Sequence, residues 1–150
     1  MVIFGMATLA LAGCGQIPAD VDGTTDRIRG GEVRIGITHN PPWTDTSGPQ
    51  PTGSEVELMQ EFADTLDAEI EWREDSEGVL ADALHEGVID VAIGGYTDDT
   101  PWTDLAAVTG PYLEVQNERG AVEKHVMLTR AGENQLLVRL ETFLLENGDR

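Results

Sequence analysis

The stretch that most constrains the fold is residues 88–93 (VIDVAI), which end directly on Gly94 and Gly95. A short, almost unbroken apolar run is typical of a strand that is buried on both faces of a sheet. We interpret Asp90, within this run, as a structural residue at the turn into the strand. Glycines at the carboxyl end allow close approach of backbone or ligand. Since ligands of open α/β sheets bind beyond the carboxyl ends of the strands, we expect a site from Gly94 onward.

Strand and helix patterns alternate along the rest of the chain. Alternating apolar residues predict strands over residues 32–38 and 68–73, and apolar residues three and four apart predict helices over residues 54–66 and 77–86. Ser54 and Glu57 have the spacing of a capping box at the start of the first of these helices. A brief extended run at residues 112–115, a turn at 117–120, a strand at 124–130 and a helix ending near Asn147 follow. This order predicts an α/β fold, a three-layer sandwich with a mostly parallel sheet.

Composition limits the classes of partner. The chain has 150 residues, enough for one domain, and 28 acidic against 9 basic residues give a net charge of −19. This charge argues against binding of nucleic acid and against electrostatic docking on an anionic membrane. The single cysteine excludes an internal disulfide and a Cys-rich metal site.

Residues 2–13 are apolar or small and uncharged, and Cys14 follows at once. The run fits the apolar region of an export signal, and Leu11-Ala12-Gly13-Cys14 resembles the lipobox of bacterial lipoproteins. That resemblance implies cleavage before Cys14 and lipidation of its side chain; the alternative is a buried N-terminal segment with an incidental cysteine. No Lys or Arg precedes the run, which is compatible with a start upstream of Met1. Residues 1–13 are therefore expected to be a signal peptide, 14–31 a flexible tether and 32–148 an α/β lobe.

Five segments, in order, resemble the extracellular solute-binding proteins of family 3, which serve amino-acid uptake by ABC transporters. They are EVRIGIT with NPPW, TGSEVELMQEFADTL, LHEGVIDVAIGG, VTGPY and KHVMLTRAGENQLLVRLETFLL, and they cover most of residues 31–145. The resemblance implies a periplasmic binding protein type II fold, in which two lobes close on a solute. Only residues 113–124 separate Tyr112 from His125, where the family inserts its second lobe. We therefore expect a single lobe.

The resemblance also implies a ligand site at the loops after the first and third strands. Its expected residues are Asn40, Trp43, Gly94, Gly95, Tyr96, Thr97 and Trp102. Alternatives remain open for several of them: Trp43 as a lid packed over the sheet, Asn40 as a turn former, the two glycines as a plain strand end, and Trp102 as a packing residue.

One difference from the family bears on the ligand. Members that bind amino acids carry T-x-T-x-x-R before the Pro-Tyr pair, and the arginine holds the ligand carboxylate. Here Thr97 remains, Asp99 replaces the second threonine, and Trp102 replaces the arginine. An aromatic ring with a carboxylate suits a cationic or ring-bearing ligand better than an anion.

The motifs of common enzymes are absent from the sequence. The three histidines lie on separate predicted elements, and there is no G-x-S-x-G motif, P-loop or dinucleotide fingerprint. Some murein-cleaving enzymes carry a similar domain, but their catalytic domain is a separate one. We expect no enzymatic activity, no cofactor and no metal.

The predicted function is extracytoplasmic binding of a small polar solute, amino-acid-like or cationic, by a transporter-type lipoprotein. Its expected partners are an ABC permease or another envelope protein, the membrane through a lipid on Cys14, and a second copy that replaces the missing lobe. The alternative function is that of a degenerate lobe acting as a sensory or protein-interaction module of the cell envelope.

Overall fold

The computed structural model describes residues 18–149, so the predicted signal peptide and Cys14 lie outside the described residues. The helices are α1 (Thr24–Ile28), α2 (Ser54–Thr65), α3 (Glu77–His85) and α4 (Asn134–Asn147). The strands are β1 (Glu32–Ile37), β2 (Glu69–Glu74), β3 (Val91–Ile93), β4 (Ala107–Val108), β5 (Leu113–Gln116), β6 (Val122–His125) and β7 (Leu128–Thr129). A 3₁₀ turn covers Pro101–Asp104.

Five strands form the main sheet in the order β2-β1-β3-β7-β4. Strands β1, β2 and β3 are parallel, whereas β7 runs antiparallel to both β3 and β4. The predicted central position of β3 is therefore confirmed. The strand is shorter than the apolar run, because the N–H groups of Val88 and Ile89 bond to the Ala83 carbonyl at the end of α3.

Helices cover both faces of this sheet, so the predicted three-layer α/β architecture is confirmed. One buried cluster joins β1 and β3 to α1, α2 and α4, with Ile28, Phe62 and Leu140 among its members. The other joins the opposite face to α3, through Leu80 and Leu84. Full burial of each such side chain contributes about 1.5–3 kcal/mol to the free energy of unfolding. Gly36 allows close packing, since a Cβ there would lie 2.6 Å from Ile89 Cδ1.

The predicted strand over residues 124–130 is wrong as a single element. Strand β6 ends at His125 and pairs with β5 in a separate two-stranded ribbon, whereas β7 belongs to the main sheet. The break lies at Val126 and Met127, whose N–H groups bond to the Tyr96 carbonyl and to Thr109 Oγ1. Local apolar pattern does not reveal this change of partner.

The flexible tether predicted for residues 14–31 extends too far toward the lobe. Its last part contains α1, and Ile28 is fully buried in the core. Asp20 Oδ1 accepts hydrogen bonds from the N–H groups of Gln135 and Leu136, at 2.8 and 3.0 Å. The Glu133 carboxylate in turn accepts hydrogen bonds from the N–H groups of Asp22 and Thr24, at 3.0 and 3.1 Å. Composition rich in Gly, Asp and Thr indicated flexibility, but these long-range caps fix residues 20–24.

The predicted capping box at Ser54 and Glu57 is also wrong. Helix α2 begins at Ser54 with Gly53 at its N-cap, and no side chain caps it. The N–H groups of Ser54 and Glu55 instead donate to the main-chain carbonyls of Pro42 and Trp43, at 3.4 and 3.1 Å. The preceding loop therefore supplies the acceptors that the capping box was expected to provide.

Candidate functional site

The loops after β1 and β3 meet at the carboxyl edge of the sheet, as the sequence predicts. The Thr38 N–H donates to the Ile93 carbonyl at 3.1 Å, and Asn40 Nδ2 donates to the Gly94 carbonyl at 2.8 Å. The Asn40 amide thus joins the two loops. This contact favours a structural role for Asn40.

Trp43 packs directly over the glycine turn. A Cβ on Gly95, whose φ is 69°, would lie 2.5 Å from Trp43 Cδ1 and 2.7 Å from Asn40 Nδ2. The absence of a side chain at Gly95 therefore accommodates Trp43 and Asn40 themselves. Trp43 also packs against His125, with ring centroids 3.9 Å apart and planes tilted by 37°. Trp43 thus covers the end of β3.

His125 is a buried residue that the sequence interpretation did not place at this edge. It is 1% exposed, and within the described residues neither ring nitrogen has a hydrogen-bond partner. Desolvation lowers the pKa of the His125 imidazole, and the nearby Glu123 carboxylate opposes the shift. Its main chain forms a β-bridge with Thr97, so it links the β5–β6 ribbon to the site loop.

Glu55 is the second residue missed. Its Oε2 accepts hydrogen bonds from the N–H groups of Gly94 and Gly95, both at 2.9 Å, and its Oε1 accepts from Tyr112 Oη at 2.6 Å. The side chain is fully buried. Burial raises the pKa of Glu55, and the three hydrogen bonds oppose that shift. The signal was available, because Glu55 continues the inward stripe of α2 four residues before Met59.

An open cleft of about 280 Å³ lies beside this turn. It is lined by Glu77, Gly95, Tyr96, Thr97, Asp99, Thr100 and Pro101. Thr97 Oγ1 donates a hydrogen bond to Asp99 Oδ1. The Glu77 and Asp99 carboxylates are the charged groups of the lining, so the cleft attracts positive charge. Glu77 was not predicted, although it follows the carboxyl end of β2 and so lies at the same edge.

Tyr96 contributes little more than main chain to the cleft. Its side chain is 4% exposed and packs in the cluster under α3. Burial raises the pKa of the Tyr96 phenol far above its usual value. Tyr96 is therefore a core residue.

Trp102 turns away from the cleft and toward α3. Its ring lies against Gly78, where a Cβ would be 3.2 Å from Trp102 Cη2, and its Nε1 donates to Glu77 Oε2 at 3.3 Å. Trp102 is also packed against the second core cluster. The geometry favours the packing alternative, with a secondary effect on the position of the Glu77 carboxylate.

A larger open cleft, of about 610 Å³, lies at the opposite edge of the sheet. Its lining consists of Gly30, Gly31, Glu32, Asp64, Asp67, Ala68 and Glu69. This is the amino edge of β1 and β2, where ligands of open α/β sheets do not usually bind. Across residues 18–149, no three His, Cys, Asp or Glu side chains form a group that could hold a metal ion.

Residues 33–147 match the model of the bacterial extracellular solute-binding proteins, family 3. The chain belongs to this family. Family 3 membership supports an extracytoplasmic location and a solute-binding role. In the part of the chain that the structure describes, every helix is too short or too polar to cross a membrane.

Solved structures agree with the single-lobe fold. A point mutant of the arginine-bound form of domain 1 from TmArgBP is 25% identical, with a TM-score of 0.72, and the match covers 81% of this chain and 96% of that domain. An ancestral cationic amino acid solute binding protein has a TM-score of 0.69 over 82% of this chain and 92% of its own. Because its sequence identity is only 14%, this match is evidence for the fold alone.

One curated relative is an enzyme, the membrane-bound lytic murein transglycosylase F of Shewanella pealeana. It is 29% identical over 109 residues, which are 72% of this family 3 chain. The chain spans only 22% of the length of that relative.

Proposed function

We propose that this lobe binds a small, positively charged solute, amino-acid-like or otherwise cationic, in the cleft beside Gly95. The observation that carries the proposal is the pair of carboxylates, Glu77 and Asp99, in a lining that contains no basic side chain. Thr97 and the main chain of Gly95 add hydrogen-bonding groups. An ammonium or guanidinium group would pair with these carboxylates, whereas an anion would be repelled.

The arginine-bound domain 1 from TmArgBP supports a ligand site on one lobe. That structure is a single domain with arginine bound, and it is 25% identical to this chain. Our lobe has a cleft open to water, so its carboxylates act in a screened environment. We therefore expect reversible capture of weak affinity, without a covalent step.

We further propose that the lobe is held at the outer face of the membrane by a lipid on Cys14 and delivers its solute to an ABC permease. Mass spectrometry of the mature protein tests this anchor. Release of the Cys14→Ser variant from the membrane fraction supports it, and an unmodified, uncleaved N-terminus contradicts it.

A degenerate lobe that acts as an interaction or sensory module is the second candidate. The packing of Trp43 onto Gly95 and the bond from Asn40 to Gly94 favour it, since both occupy groups that the family resemblance assigned to the ligand. We propose no enzymatic activity. The transglycosylase match covers too little of that relative for its reaction to be inferred here.

Isothermal titration calorimetry decides between the two candidates. Arginine, lysine and putrescine should produce saturable heat, whereas glutamate and glucose should produce none. Trp102→Ala should weaken binding indirectly by releasing Glu77, and Trp102→Phe should weaken it less because the ring packing remains. Absence of heat with all cations would contradict solute binding and favour the interaction module.

A further inference from the structure

Strands β5 and β6 form a ribbon that is separate from the main sheet. The turn at residues 117–120 joins them, closed by the Gly120 N–H donating to the Asn117 carbonyl at 2.9 Å. The outer side of β6 is occupied, because the Lys124 carbonyl accepts from the Asp98 N–H at 2.9 Å. Residues 97 and 98 therefore act as a third strand beside β6.

The outer side of β5 is a free strand edge. Lys124 of β6 and Glu114 of β5 lie directly opposite each other in the antiparallel pair. Because the Lys124 carbonyl points away from β5, this is a non-hydrogen-bonded pair, and the main-chain groups of Glu114 point away from β6. The main-chain groups of Glu114 and Gln116 thus face away from β6. Within the described residues, these groups have no strand or hydrogen-bond partner. An unpaired edge of this kind is a template for another strand.

We propose that β5 pairs antiparallel with β5 of a second copy of this chain, with Val115 on the two-fold axis. Three registers bring outward-facing residues of the two copies opposite each other. Centring on Glu114 opposes two glutamates, and centring on Gln116 opposes Glu114 with Glu118. Centring on Val115 opposes Glu114 with Gln116 on both sides, so no like charges meet.

The ribbon carries little net charge of its own, which favours self-association. Residues 113–125 contain two basic residues, Arg119 and Lys124, and three glutamates, whereas the whole chain has a net charge of −19. The remaining acidic surface of the two copies repels at long range, and salt screens that repulsion. Association should therefore strengthen as salt concentration rises.

Pairing through β5 leaves the solute clefts independent. The resulting ribbon would run from residue 97 of one copy through β6 and β5 to the same elements of the second copy. Five inter-strand spacings then separate the two Thr97 residues by about 24 Å. Dimerisation should consequently not change solute affinity, so it is testable apart from the proposed function.

Sedimentation velocity on the full chain tests the register through one side chain. Gln116→Lys places lysine opposite Glu114 twice and should tighten the dimer, whereas Gln116→Glu places glutamate there and should weaken it. The two variants should differ by about tenfold in dimer dissociation constant. Gln60→Lys and Gln60→Glu, at an exposed position of α2, change net charge equally and should differ little.

A cysteine on the proposed axis gives a second readout. In a Cys14→Ser background, Val115→Cys should form a disulfide-linked dimer on oxidation. In this register the two Val115 residues are a non-hydrogen-bonded pair, whose Cα atoms lie about 4.5 Å apart, within the range that a disulfide spans. Val122→Cys, at a more exposed position on β6, should not form this dimer. A chain that stays monomeric at all salt concentrations, equal effects of the Gln116 and Gln60 pairs, or equal cross-linking at both cysteines would overturn the proposal.

Discussion

Two buried carboxylates hold the two ends of β3 by different means. At the amino end, Asp90 accepts from Arg34 Nη2 at 2.7 Å and Arg27 Nη2 at 2.5 Å. At the carboxyl end, the partners of Glu55 within residues 18–149 are two main-chain N–H groups and a tyrosine hydroxyl, from which it accepts. At the amino end, the charge of the Asp90 carboxylate is therefore neutralised by two arginines. At the carboxyl end, negative potential comes from the Glu77 and Asp99 carboxylates of the cleft.

The largest expected effect comes from removing the Glu55 acceptor. Glu55→Ala leaves the N–H groups of Gly94 and Gly95 and the Tyr112 hydroxyl without their partner. It should lower the free energy of unfolding by about 4 kcal/mol. Urea denaturation measures it. The matched control is Glu57→Ala on the exposed face of the same helix, expected within about 0.5 kcal/mol. Equal losses in the two variants would show that the Glu55 contacts are unimportant.

Neutral amide substitutions separate the two ends more sharply. Glu55→Gln can still accept from the glycine N–H groups and donate to the Tyr112 oxygen, so its cost should stay below about 1 kcal/mol. Asp90→Asn loses charge pairing with both arginines and should cost about 2 kcal/mol. Denaturation of both variants under one condition gives the comparison. If Glu55→Gln is the more costly substitution, the distinction between charge pairing and neutral donors fails.

A smaller effect should follow from pH at the carboxyl end. Because the pKa of His125 is lowered in the folded state, the unfolded chain binds its proton first as pH falls below about 6.5. His125 should therefore reduce stability by up to about 1.4 kcal/mol per pH unit below that value, until the folded pKa is reached. Its contribution is the difference in pH slope between the wild type and His125→Gln. Identical slopes would exclude it.

The sequence predicts the sheet and its layers because these depend on apolar periodicity. The buried β3 and the stripe of α2 both appear in the pattern, as does the position of the loops after β1 and β3 at the carboxyl edge. Partners distant in the chain do not appear there. The caps between Asp20, Glu133 and α4, and the bond network of Glu55, join segments separated by dozens of residues and so escaped local interpretation.

The contacts of individual side chains at this edge are harder to predict from the sequence than the position of the edge. Trp102 was assigned to the ligand from its position in the family motif, and this assignment stays a prediction. In the structure its ring packs on α3 and contacts Glu77. Trp43 and Gly95 pack on each other at the strand end, and their predicted contact with a ligand stays a prediction. Side-chain direction decides these roles, and a sequence register does not specify it.

The most direct test of a cation site at the carboxyl edge is a matched titration of arginine into the wild type, Asp99→Asn and Asp98→Asn. The two variants carry the same change of net charge on adjacent residues, but only Asp99 lines the cleft. The Asp99→Asn variant loses a charge-assisted contact, so its affinity for arginine should fall about tenfold. The Asp98→Asn variant should bind arginine like the wild type. Equal affinity of the two variants would contradict the proposed site.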